Sequence, residues 1–153
     1  MTREKIVITG LGVLAPNGNN VDAFWAACTA GKSGIGRITY FDSSEHRVSI
    51  AGELSDFQPE MVLDPKEIRK LDPFSIYALV ATDEAVKMAN IDTDTVDLDR
   101  VGVTIGSGVG GIQTLEEQHT IIETKGPRRV SPLFVPKMSA NMAGWSVNNI
   151  DVS

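Results

Sequence analysis

"VGVTIGSGVGGIQTLEEQH", residues 101–119, is the stretch on which the reading of the fold turns. It opens with a short, largely β-branched apolar run, which reads as a strand buried on both faces. Gly106-Ser107-Gly108-Val109-Gly110-Gly111 then supplies a turn. The chain continues as IQTLEEQHTIIE, a helix stopped by Gly126. Strand, glycine turn and helix form the repeating unit of an α/β protein with parallel strands.

The same succession opens the chain. KIVIT (5–9) reads as a strand closed by Gly10, followed by the turn-rich loop GLGVLAPNGN. Asn20 or Asp22 can cap a helix that runs to Ala30 and stops at Gly31. Residues 36–57 hold two β-like pieces, RITYF and RVSIAGEL, among serines and glycines, and read as a surface excursion. The strongest helical stretch is 64–91, with a start at Asp72 before Pro73. There Phe74, Tyr77, Ala78, Ala81, Ala85 and Met88 recur at helical spacing, with Asp83, Glu84 and Lys87 elsewhere on the wheel. SPLFVPKMSANMAGWSVNN starts extended around its prolines and turns helical near Met138. Only two core strands emerge, fewer than a parallel sheet covered on both faces needs, so the chain reads as the opening part of a larger domain.

The 153 residues suffice for one domain with a hydrophobic core. A formal net charge of −6 argues against binding to a nucleic-acid backbone, which calls for a basic face. Lys125, Arg128 and Arg129 are interrupted by Gly126 and Pro127 and read as a solvated loop. One cysteine excludes an internal disulfide and fits a reducing compartment. The N-terminal MTREKIVITGLG is too short in apolar run for a secretory leader, and no stretch is long enough to span a membrane. A soluble cytoplasmic protein is expected.

Two glycine patterns raise the question of a nucleotide. GLGVLA (10–15) has the form G-x-G-x-x-A and GSGVGG (106–111) the form G-x-G-x-x-G. In a dinucleotide fold such glycines bring a pyrophosphate to a helix N-terminus. After the first pattern, Pro16-Asn17-Gly18-Asn19 interrupts the helix that should follow at once. After the second, the acid expected about 20 residues on falls in GPRRVSP, which has none. Neither pattern therefore supports a cofactor, and none is expected.

His46 in SSEHR and His119 in EEQHT read as surface histidines, and neither has metal-ligand spacing, so no metal is expected. Cys28 sits in FWAACTAGKSG (24–34), whose small residues resemble a nucleophile's setting. A reactive thiol wants a helix N-terminus, a cation or a histidine beside it. Cys28 lies late in its helix, between Phe24, Trp25 and Ala27, and reads as a packed structural residue.

Several stretches together resemble the β-ketoacyl-acyl carrier protein synthases of fatty acid synthesis, above all the elongating type II enzymes. They are VITGLGVLAPNGN, FWAACTAGKSGIGRITYFD, AGEL with the following DF, KEIRKLDPFSIYALVATDEA, VGVTIGSGVGGIQTLEEQH and GPRRVSPLFVPKMSANMAG, in that order and spacing. The resemblance covers 1–144 and leaves 145–153 as a divergent tail. It implies part of one half of the thiolase-like αβαβα architecture, found in homodimers, and a decarboxylative condensation of an acyl thioester with malonyl-carrier, without a separate cofactor. It implies acyl carrier protein and an acyl thioester as partners. The family's nucleophilic cysteine, in a TAC-type turn, its two catalytic histidines and its lysine have no counterpart in 1–153, and Cys28 matches an ordinary helix residue. No catalytic residue is therefore assigned, and the chain alone is expected not to condense. The resemblance places Val109 and Phe134 in the wall of the acyl tunnel. A non-catalytic acyl- or carrier-binding scaffold protein is the alternative.

Overall fold

The first helix shows how local sequence sets structure here. In α1 (Val21–Thr29), the Asn20 side chain accepts from the Ala23 amide at 2.8 Å and so caps the first turn. Ala30 closes the helix on the Ala26 carbonyl, and Gly31 follows with φ +65°, the left-handed turn that glycine adopts without strain. The expected bounds of this helix hold. The computed structural model describes residues 5–92 and 95–148.

The remaining elements are β1 (Ile35–Arg37), β2 (Ile50–Gly52), α2 (Pro65–Ile68), α3 (Pro73–Ala89), α4 (Ile112–Lys125), α5 (Phe134–Met138) and α6 (Met142–Asn148), with single tight turns at Pro59–Met61, Leu98–Arg100 and Pro127–Arg129. α3 begins at Pro73, whose missing N–H costs nothing in the first turn, and ends at Asn90, φ +53°. α4 ends at Gly126, φ +83°. The segment after Ser131 becomes helical at Phe134, four residues before Met138, and again at Met142.

The chain divides into two units, one made of residues up to Gln58 with Ala81–Ile91, the other of Pro59–Val80 with residues from Asp92 onward. In the first unit β1 and β2 pair antiparallel, with Gly36 opposite Ala51. The loop after residue 9 lies on the second half of α3. A side chain at Gly10 would strike the Ala85 carbonyl and one at Gly12 the Ala81 carbonyl, so both positions need glycine for close backbone approach. The Leu11 amide also meets the Met88 sulfur at 3.3 Å, so Ala81, Ala85 and Met88 serve the contact that their spacing suggested.

In the second unit the buried apolar residues are Leu63, Ile76, Leu79 and Ala143, joined by the polar Asp72, Ser75, Thr114, Gln118 and Ser146. The first half of α3 therefore turns Ser75, Ile76 and Leu79 inward, in place of the expected Phe74 and Tyr77. α4 buries Thr114 and Gln118, while Ile112, Leu115 and Ile122 are exposed. Hydrogen bonds of those buried polar groups, described below, fix the rotation of both helices.

The two expected core strands do not form. Neither 5–9 nor 101–106 has a strand partner among the described residues, and Ile6 is 99% exposed and Ile8 83%. A strand is held only through the backbone of a neighbour, and no described segment offers one. The only sheet among the described residues is the antiparallel β1–β2 pair, formed within the stretch read as an excursion.

Candidate functional site

Two hydrogen bonds hold the turn of residues 106–111, and two more hold the start of α4 that follows it. The Gly110 amide donates to the Ser107 hydroxyl at 2.9 Å, closing the turn on itself. The Gly111 amide donates to the Met138 carbonyl at 2.9 Å, tying the turn to the last residue of α5. At the start of α4, the Thr114 amide and hydroxyl both donate to Asp72 Oδ2, at 3.1 and 2.6 Å.

Asp72 is only 4% exposed. Its backbone carbonyl also accepts from the Ser75 and Ile76 amides as α3 begins. One residue thus closes the first turn of α3 and satisfies an otherwise orphaned amide of α4. Glycine is required beside it. A side chain at Gly111 would lie 2.9 Å from Asp72 Oδ2 and strike the Lys137 carbonyl, while one at Gly110, φ +80°, would lie 2.5 Å from the Met138 oxygen. Gln118, one turn further along α4, accepts from the Ser131 amide at 2.7 Å and anchors the segment that leads into α5.

Val109 stands at the tip of this turn and is 65% exposed. Phe134, half-buried, is the first residue of α5. It lies four residues before Met138, about 6 Å along a helix axis. The elements that carry the two residues singled out in the sequence are therefore hydrogen-bonded to each other.

In the first unit Glu84 plays a part like that of Asp72. Its carboxylate accepts from the Val13 amide at 2.9 Å and from Val21, the first residue of α1, at 2.7 Å. Val13 of the first glycine pattern thus presents its amide to Glu84, and Thr114, three residues past the second, presents its amide to Asp72. A pyrophosphate would have to displace that carboxylate, against its charge, at Val13 or Thr114.

Cys28 is exposed rather than packed, because the buried residue of α1 is Ala27 while Trp25 is 66% exposed. Its sulfur accepts from the Asn17 side-chain amide at 3.7 Å. His46 is exposed and edge-on to Phe41, at 5.4 Å between ring centres. His119 is exposed, 3.8 Å from Glu123 on the same helix face. Lys125, Arg128 and Arg129 are all exposed around the end of α4, as a solvated loop should be. Among the described residues no group of three or more His, Cys, Asp or Glu gathers at metal-binding distances. No helix of the described residues is long and apolar enough to cross a membrane.

An open groove of about 420 Å³ lies in the first unit, lined among others by Pro16, Ser33, Arg37, Thr39 and Glu53. Glu53 is engaged there, accepting from the Thr39 hydroxyl at 2.7 Å and from the Thr39 amide at 3.0 Å. The Thr39 hydroxyl is the main cause that holds its carboxyl below the usual range. The groove contains neither Val109 nor Phe134.

The sequence reading missed Asp72, Glu84 and Gln118 as organisers. Asp72 was visible as a helix start, but its bond to a threonine 42 residues away was not. Glu84, read with the solvated side of its helix, had no signal of its two backbone partners.

The family model for the N-terminal domain of β-ketoacyl synthases matches residues 3–150. The chain belongs to the β-ketoacyl synthase family. It is 46% identical over 145 residues to the 3-oxoacyl-[acyl-carrier-protein] synthase 2 of Staphylococcus aureus (strain COL), covering 95% of this chain and 35% of the relative. It is 43% identical over 148 residues to the enzyme of the same name from Coxiella burnetii (strain RSA 493 / Nine Mile phase I), covering 97% of this chain and 36% of that one. The chain thus spans about a third of the length of these curated relatives.

Among solved structures, the β-ketoacyl synthase from Burkholderia phymatum STM815 superposes with a TM-score of 0.75 at 26% identity, over 92% of this chain and 35% of that one. A type II polyketide ketosynthase, solved in complex with its acyl carrier protein and bound to the hexaketide, superposes with a TM-score of 0.78 at 27% identity, over 95% of this chain and 38% of that chain. This synthase-family chain therefore carries part of the thiolase-like ketosynthase fold, homologous to the N-terminal part of the type II synthases. Recognition by motif order is borne out, although the parallel pairing expected from periodicity is not seen.

Proposed function

We propose that this chain is the N-terminal portion of a 3-oxoacyl-[acyl-carrier-protein] synthase II and supplies part of the wall that holds the growing acyl chain during condensation with malonyl-carrier. Residues 1–144 form that portion and 145–153 a divergent tail, of which 149–153 lie outside the described residues. The observation that carries the reading is the bond from Gly111 to Met138, which joins the Val109 turn to the Phe134 helix in a chain of this family. Val109 and Phe134 are its acyl-lining residues.

By itself the chain binds and does not condense. Its single cysteine is exposed late in α1, and its two histidines are surface residues on separate elements. Condensation needs a thiolate held for attack and donors for the developing oxyanion, whereas the exposed Cys28 sulfur has the Asn17 side-chain amide at 3.7 Å as its hydrogen-bond partner among the described residues. The partners are a cytoplasmic acyl carrier protein, its acyl thioester, and a second ketosynthase chain in a homodimer.

Titration with dodecanoyl-carrier and with the unacylated carrier tests the wall. Tighter binding of the acylated form is expected, and Val109→Phe should remove that gain at least fivefold. Equal affinity for both carriers, or a gain that survives Val109→Phe, would sink the wall. Condensing activity in the purified chain that is lost in Cys28→Ala would sink the claim that it only binds.

A further inference from the structure

The tip residue Val109 is 65% exposed, so burial does little to fix its position. Its placement has to come from the turn beneath it. That turn is held at one end by the Gly111 amide on the Met138 carbonyl, and its own chord is the Gly110 to Ser107 bond. Neither bond sets the direction in which α4 leaves the turn. The Ile112 and Leu115 amides join α4 to the Gly110 and Gly111 carbonyls, and its first turn is held from outside by Thr114, whose amide and hydroxyl converge on one oxygen of Asp72.

The arrangement is dense. Asp72 is 4% exposed, Thr114 6%, and the space between Asp72 and the turn is too small for a methyl group on Gly111. This buried carboxylate accepts two bonds from Thr114 and a longer one from the Phe74 amide at 3.4 Å, and it is costly to leave without them, so the pair holds its geometry strongly. Asp72 also begins α3, so the turn is referred to a 17-residue helix rather than to another loop.

We infer that Asp72 is a positioning residue for the acyl wall: through Thr114 it fixes the 106–111 turn and so sets where Val109 meets the chain. This rests on the wall reading proposed above. Asp72 touches no substrate; it acts through the turn.

The test uses amide hydrogen exchange and carrier titration on the same variants of the whole chain. Asp72→Ala should speed exchange at Gly110, Gly111 and Thr114 at least tenfold, while Val13 and Val21 in the other unit stay within twofold. Asp72→Asn keeps a carbonyl acceptor of the same shape and should restore most of the protection. If Asp72→Ala does not fold, Thr114→Val, which removes only the hydroxyl bond, takes its place with a smaller change at the same three amides. The acyl-dependent gain in carrier affinity should fall at least threefold in whichever variant is used, with binding of the unacylated carrier unchanged. A uniform rise in exchange across both units, or no change at the turn, overturns the inference and leaves the wall standing. So does an unchanged acyl gain in these variants while Val109→Phe abolishes it. If Val109→Phe has no effect either, the wall itself is wrong and the inference falls with it.

Discussion

Residues 10–15 and 106–111 both open with G-x-G and use their glycines in different ways. In the first, Gly10 and Gly12 let the backbone lie directly on the carbonyls of α3. In the second, Gly106 and Gly108 have open space around them, and only Gly110 and Gly111 are pressed against the end of α5. Both are referred to carboxylates near or on the same helix, Glu84 for the first and Asp72 for the second. Glu84 spans two segments with its two oxygens, whereas a single oxygen of Asp72 takes both bonds from one residue. A glycine pattern therefore reports close backbone approach or a turn, and the partner decides which.

Substitutions can break this comparison. Gly12→Ala should cost the most, about 3 kcal/mol or more, because its methyl group meets helix backbone that cannot rotate away. Denaturant unfolding of that variant beside Gly108→Ala is the direct check: Gly108 has nothing within 4 Å, and its change should stay within about 0.5 kcal/mol. Comparable losses at the two positions would remove the distinction.

Glu84→Ala should cost about 2 kcal/mol, since it strands the Val13 and Val21 amides together. Glu84→Gln retains one good acceptor and should lose less than half of that in the same unfolding experiment. A Gln variant as unstable as Ala would mean that charge, not the pair of bonds, is what matters at this position.

The smallest effect is a pH dependence at Glu53. Its carboxyl is held below its ordinary value of 4.5, chiefly by the Thr39 hydroxyl. A depressed folded-state value means that the bond contributes fully above the unfolded value and is lost as pH falls through the folded one. Acidification to below the ordinary carboxylate range should therefore loosen Thr39 and Tyr40 first, seen as faster amide exchange there. Glu53→Gln should flatten that response. Exchange that is insensitive to acid in the unchanged chain would show that the carboxylate bond is not holding this loop.

The helices were legible because their signals are local. Asn20 caps α1, Asp72-Pro73 opens α3, Gly31 and Gly126 end α1 and α4, and each bond concerned reaches only a few residues. The inward faces of α3 and α4 were not legible. Ser75, Thr114 and Gln118 are buried and Leu115 is exposed because polar bonds over sequence separations of 13 and 42 residues fix the helices' rotation. Periodicity of apolar residues carries no record of such bonds. The same reason explains the failure at 5–9 and 101–106: a β-branched run is only a readiness to pair.

What the sequence by itself determined is the family, the helix ends and the positions where only glycine fits. Each is written in residue type and order. The tertiary structure decided which carboxylates hold the glycine turns, where Cys28 is left, and that the turn of Val109 is bonded to the helix of Phe134. Those outcomes depend on groups far apart in the chain, whose meeting no local preference encodes.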